Sequence, residues 1–131
     1  MQKNPLDAYQ TVENATLSGR DLEASVLNRA AARLASVKQN WDAPERETDL
    51  DEALRYNLRL WTLFQSELVS EGNPLPLDIK RNLMSLSAYI DRRTFDILSF
   101  PAPAKLDILI NINKNIASGL MGGGGEVQES P

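Results

Sequence analysis

The chain of 131 residues contains no cysteine and no histidine. Without cysteine there is neither a disulfide framework nor a thiol nucleophile. Losing both residues together also removes zinc sites of the Cys/His kind, the Ser-His-Asp triad and the Cys-His pair. Carboxylate sites for magnesium or calcium survive that cut, since those ions take oxygen ligands. Long apolar runs are missing too, and none approaches the ~20 residues that span a bilayer. The opening MQKNPLDAYQ has no apolar core of signal-peptide length. Without a membrane insertion signal, a cytoplasmic location is expected.

Basic charge is sparse and scattered, with 14 Lys and Arg against 18 Asp and Glu for a net charge of -4. Phosphate contacts dominate nucleic-acid affinity, and a chain without a basic block lacks that term. Direct RNA binding is therefore disfavoured, although folding could still cluster Arg81, Arg92 and Arg93. The apolar share, 42%, is that of a globular protein and not of a disordered one. A single domain of this size can bury enough surface to need no covalent staple.

Glycine and proline punctuate five helical segments, and the expected fold class is all-α: one bundle with four long helices and a short N-terminal one. Asn4-Pro5 reads as an N-cap with a first-turn proline, opening a helix to about Leu17. Its apolar residues, Leu6, Tyr9 and Val12, are few, so it needs something else to pack on. Ser18 and Asp21 suggest a weak capping box before a helix to about Trp41. There Leu22, Val26, Ala30, Leu34, Val37 and Trp41 recur every three or four residues. Asp42 to Asp49, with Pro44, reads as a loop.

Thr48 or Asp49 can cap a helix over Leu50 to Ser70, with the stripe Leu50, Leu54, Asn57, Trp61, Phe64 and Leu68. Gly72 suits a left-handed terminator, and Asn73-Pro74 cannot continue the helix. From Pro76 a further helix reaches about Leu98, its main stripe being Ile79, Leu83, Leu86, Ile90 and Ile97. Phe100-Pro101-Ala102-Pro103 makes a stiff connector. The last helix spans about Ala104 to Ser118, with Leu106, Leu109, Ile110, Ile116 and Leu120 on one side and Gly119 as its end. Residues 1–120 form the expected domain, and 121–131, with Gly122 to Gly125, a disordered tail.

Three features could carry function. Asn57 and Asn113 lie within apolar stripes, where an amide must find partners or cost about 1–3 kcal/mol. They either fix helix register inside the bundle or meet a partner's backbone. Secondly, Leu77, Met84, Ala88 and Phe95 form a second apolar face, opposite the main stripe of their helix. Such a helix is either central in its bundle or offers a surface to another helix. Thirdly, Ile108 and Ile112 widen the last helix's apolar face, through deep insertion or as an edge that receives a ligand helix.

Nothing argues for catalysis. Asp91 and Asp96 are five apart and not stacked on a helix. A di-iron bundle needs Glu-x-x-His, which this chain cannot contain. The glycine run lacks the Lys-Ser/Thr of a P-loop. The reading is of a non-enzymatic protein with no cofactor and no metal.

Three blocks carry a family likeness: LDEALRYNLRLWTLF (50–64), LPLDIKRNLMSLSAYIDRRTFDI (75–97) and KLDILININKNIASGL (105–120). Ala8-Tyr9 and RDLEASVLNRAAARL fit the same pattern. Together they resemble FlaF, the flagellar biosynthesis regulator family of alphaproteobacteria. The resemblance implies a protein that promotes flagellin production and secretion, acts opposite the regulator FlbT, and binds flagellin. It implies a flagellin chaperone and regulator. Two alternatives stand beside it: a regulator acting on flagellin messenger RNA, or an adaptor that pairs with an FlbT-like protein.

Overall fold

The computed structural model describes residues 19–121, and the helix expected before Leu17 and the tail after Met121 lie outside the described residues. Four α-helices make up that part: α1 (Gly19–Gln39), α2 (Arg46–Leu68), α3 (Leu77–Ser99) and α4 (Leu106–Met121), with a 3-10 turn at Pro103–Lys105. No strand occurs among the described residues, so the all-helical expectation holds for them.

α1 and α4 form the tightest pair, α2 packs on α1, and α3 packs on α2. Small residues explain the first contact. Ala24, Ala30 and Ala31 of α1 and Ala117 of α4 are buried, and side chains that short let two helix axes approach closely. Leu27, Leu34, Leu106 and Leu109, all fully buried, fill the seam between them.

The expected stripe of α1 is therefore correct at Ala30, Leu34 and Val37 but out of phase at its start. Leu22 is exposed, and Ala24 with Leu27 takes the core positions. Alanine carries too little hydrophobic weight to stand out in a periodicity reading, although here it marks the contact face. Trp41 lies beyond the helix, half-buried. α1 ends at Gln39, and the Asn40 backbone N–H and side chain both donate to the Ser36 carbonyl of its last turn.

α2 follows its expected stripe closely, with Leu50, Leu54, Asn57, Trp61 and Leu68 buried and Phe64 half-buried. Its start is four residues earlier than expected, at Arg46 instead of Leu50, and neither Thr48 nor Asp49 is the cap. The Arg46 guanidinium lies 4.4 Å from the centre of the Trp41 ring, which anchors the first turn. Glu47 and Asp49 place negative charge at the positive end of the helix dipole. The mixed-charge stretch thus opens a helix.

Gly72, with φ of +92°, is the left-handed residue that reverses the chain after α2. Asn73 stabilises the turn from both ends of its amide: Nδ2 donates to the Glu67 carbonyl and Oδ1 accepts from the Leu75 N–H. At the next corner, Lys105 Nζ donates to the Phe100 carbonyl at 2.8 Å and meets the Asp96 carboxylate at 3.0 Å. Gly119 was expected to end the last helix, but α4 runs through it to Met121. With no positive φ at Gly119, the left-handed exit is not made there.

The two glycines give opposite expectations. Either position has open space for a methyl group beside its own stretch of backbone. At Gly72 only the backbone opposes a side chain, so Gly72→Ala should destabilise by about 1–2 kcal/mol. Gly119→Ala replaces a poor helix former and should stabilise by about 0.5 kcal/mol. Urea unfolding followed by circular dichroism reads both.

Candidate partner-binding faces and the buried amide chain

The two amides singled out in the sequence meet each other at the centre of the bundle. Trp61 Nε1 donates to Asn113 Oδ1 at 2.9 Å, and Asn113 Nδ2 donates to Asn57 Oδ1 at 2.7 Å. All three side chains are essentially inaccessible to solvent. An indole N–H can only donate, so Asn113 must turn its oxygen toward Trp61 and its nitrogen toward Asn57. Asn57 must then present its own oxygen, and its Nδ2 has no hydrogen-bond partner among the described residues.

This chain joins α2 to α4 across a gap that their backbones do not close. Trp61 fills that gap, and its ring meets Phe64 edge-on at 5.5 Å between centroids. Asn57 and Asn113 are therefore bonded to each other inside the bundle, and both side chains are fully buried. The indole donor was not foreseen, although Trp61 stands one turn from Asn57 on the same stripe.

The second face of α3 is open. Leu77 is 61% and Phe95 64% exposed, Ala88 is exposed and Met84 half-buried. Among the described elements, α3 packs extensively on α2 alone. Its inner side buries Ile90 and Ile97, with Leu83 and Leu86 half-buried and Ile79 exposed. Two buried polar residues also sit there that the stripe did not include. Ser87 Oγ accepts a hydrogen bond from Gln65 Nε2, and Thr94 Oγ1 donates to the Ile90 carbonyl.

Leu98 and Phe100 extend the apolar strip toward the Pro101 corner, Phe100 being 71% exposed. Ile108 and Ile112 belong to α4, where Ile112 packs half-buried against the core and Ile108 is about one-third exposed. Their helix has no extensive packing with α3. The six apolar candidates therefore fall into two sets on separate elements.

The three arginines do not share one face of α3. Neighbouring helix residues are about 100° apart, so Arg92 and Arg93 project differently. Arg92 and Arg81 are exposed, whereas Arg93 is half-buried and ion-paired with Asp96 at 3.3 Å. Among the described residues, no group of three His, Cys, Asp or Glu side chains is placed to hold a metal ion. No helix among them is long and apolar enough to cross a membrane.

A feature missed in the sequence is a groove of about 290 Å³ at one end of the bundle, lined among others by Trp61, Phe64, Leu68, Leu75, Leu83 and Leu120. It joins residues from four helices and a turn, so no single stripe announces it.

Among the described residues the molecule is thus a small helical bundle with an exposed apolar strip on α3. The family described as Flagellar protein FlaF matches it over residues 5–120, and the chain belongs to that family. No curated protein and no solved structure matches it.

Two substitutions separate the amide chain from the strip. Trp61→Phe keeps most of the ring but strips Asn113 of its donor, and should cost about 1–3 kcal/mol in urea unfolding. Phe95→Asp, on the exposed strip, should change stability by no more than about 0.5 kcal/mol.

Proposed function

We propose that this protein is a non-catalytic, cytoplasmic binding partner of flagellin that promotes flagellin synthesis, secretion and flagellum assembly. The single observation that carries the reading is the apolar strip of α3, formed by Leu77, Met84 and Phe95, on a protein of a flagellar family. A monomeric protein rarely leaves large aromatic and aliphatic side chains aligned in water unless something covers them.

Helix-in-groove recognition supplies the mechanism. The terminal segments of unassembled flagellin become amphipathic helices in the filament, and an apolar strip can cover such a helix before assembly. Leu77 and Phe95 are 18 residues apart, about 27 Å along α3, which spans about five turns of a bound helix. Ile108 and Ile112 offer an additional edge on α4.

A second reading, an adaptor that pairs with an FlbT-like regulator, would use the same strip. The reading that Arg81, Arg92 and Arg93 contact messenger RNA has less support, since Arg93 is engaged by Asp96.

Calorimetric titration with purified monomeric flagellin, intact and without its terminal segments, tests the proposal. Saturable binding that is lost on truncation is expected. A buried Phe contributes about 1.5–3 kcal/mol, so Phe95→Asp should weaken binding by about tenfold or more. Met84→Glu should act in the same direction with helical content intact. Unfolding of Met84→Glu would make that position core, and an absence of binding at micromolar concentrations would turn the assignment to the adaptor.

A further inference from the structure

The apolar strip of α3 has two unlike edges. At about 100° per residue, Leu77, Met84, Ala88 and Phe95 fall within about 20° of one line along the helix. Arg81 and Arg92 lie about 40° and 60° to one side of that line, and both are exposed. About three turns, or 16 Å, separate them, so they flank the strip at two levels. The opposite edge carries Lys80 and Asp91, one charge of each sign, both half-buried.

Neither Arg81 nor Arg92 is ion-paired among the described residues. The carboxylates on the same side of α3 are engaged elsewhere. Asp78 Oδ1 accepts from the Ile79 N–H, and Asp96 pairs with Arg93 and Lys105. The whole chain has a net charge of -4, but the Debye length at physiological salt is about 8 Å. A helix lying on the strip therefore meets these two cations and not the average charge. Their aliphatic stems extend the apolar surface, and each guanidinium can hold a carboxylate through two parallel hydrogen bonds.

We propose that the α3 strip selects an amphipathic helix with carboxylates along one edge of its apolar face, two of them about three turns apart, which pair with Arg81 and Arg92. The inference rests on the reading of this strip as the partner surface and adds the charge of what it binds. Apolar contact with Leu77 and Phe95 supplies most of the affinity, because exposed ion pairs are weak. The arginines supply direction. Turning a bound helix end for end, with its apolar face still on the strip, exchanges its two edges. Only one direction brings an acidic edge to Arg81 and Arg92, and the other sets it against Lys80 and Asp91.

Two synthetic helical peptides test the charge independently of flagellin. Both carry leucines at the spacing of the strip; one has two glutamates three turns apart on one edge, the other has lysines there. Fluorescence anisotropy with the full chain at low salt should show the glutamate peptide binding about tenfold more tightly, and high salt should shrink the difference. Arg81→Glu/Arg92→Glu should reverse the preference with helical content unchanged. Arg81→Lys/Arg92→Lys should keep most of it, and Arg29→Glu on α1 should leave it alone. Phe95→Asp should weaken both peptides alike.

Equal binding of the two peptides would overturn the inference and leave the strip as a binding face. Absence of binding by either, or indifference of both to Phe95→Asp, would remove the strip and the inference together. Equal binding of monomeric flagellin to the wild type and to Arg81→Glu/Arg92→Glu would overturn the inference alone. A charge preference among the peptides, without flagellin binding, would uphold it and remove flagellin as the partner. Single-stranded RNA bound through the two arginines and unaffected by Phe95→Asp would assign them to phosphate, and the inference would fail.

Discussion

The bundle is organised around one indole N–H that can do nothing but donate. Trp61 sits between α2 and α4, and its bond to Asn113 sets the sense of the amide chain that ends at Asn57. An apolar core would tolerate small rotations of α4 against α2, because dispersion and burial are non-directional. A chain of two directed bonds inside a low-dielectric core does not, since each unmade bond exposes the cost of a buried polar group. The alanines of the α1–α4 seam bring those two helices close, and the amide chain ties α4 to α2 by two directed bonds.

Surface charges add little to this. Lys38 reaches Asp107 at 2.6 Å and so ties the end of α1 to the start of α4, but both side chains are near half-exposed. Exposed pairs of this kind contribute about 0–1 kcal/mol. Arg33 over the Tyr56 ring joins α1 to α2 in a similar way. These contacts orient helix ends that the core has already brought together.

Much of this architecture was legible because helices announce themselves through apolar spacing and through glycine and proline. The stripe of α2 was read correctly, including the polar intruder Asn57, because large residues dominate it. The start of α1 was misread because its contact face is built from alanine and Leu22 is exposed. The start of α2 was missed because its support, Arg46 over Trp41, is a tertiary contact. For the candidate faces, the sequence located the second stripe of α3 but not which side of the bundle it would occupy. That depends on which helices pair, and spacing within one helix carries no such information. The groove was illegible for the same reason, being assembled from the ends of several elements.

α3 is held by α2 along its length and by two corners at its ends. One corner is the turn at Gly72, with the only positive φ among the described residues, and the other is fastened by Lys105. The amide chain does not include it. Opening this helix would therefore leave the α1–α2–α4 unit with its directed bonds unbroken, so local and global unfolding are separable here. Ile90 and Ile97 of α3 belong to the same buried core as Trp61, so such an opening would uncover part of that core while leaving the amide chain bonded. The element with the most exposed large apolar side chains is thus also the one that the directed bonds of the core leave out.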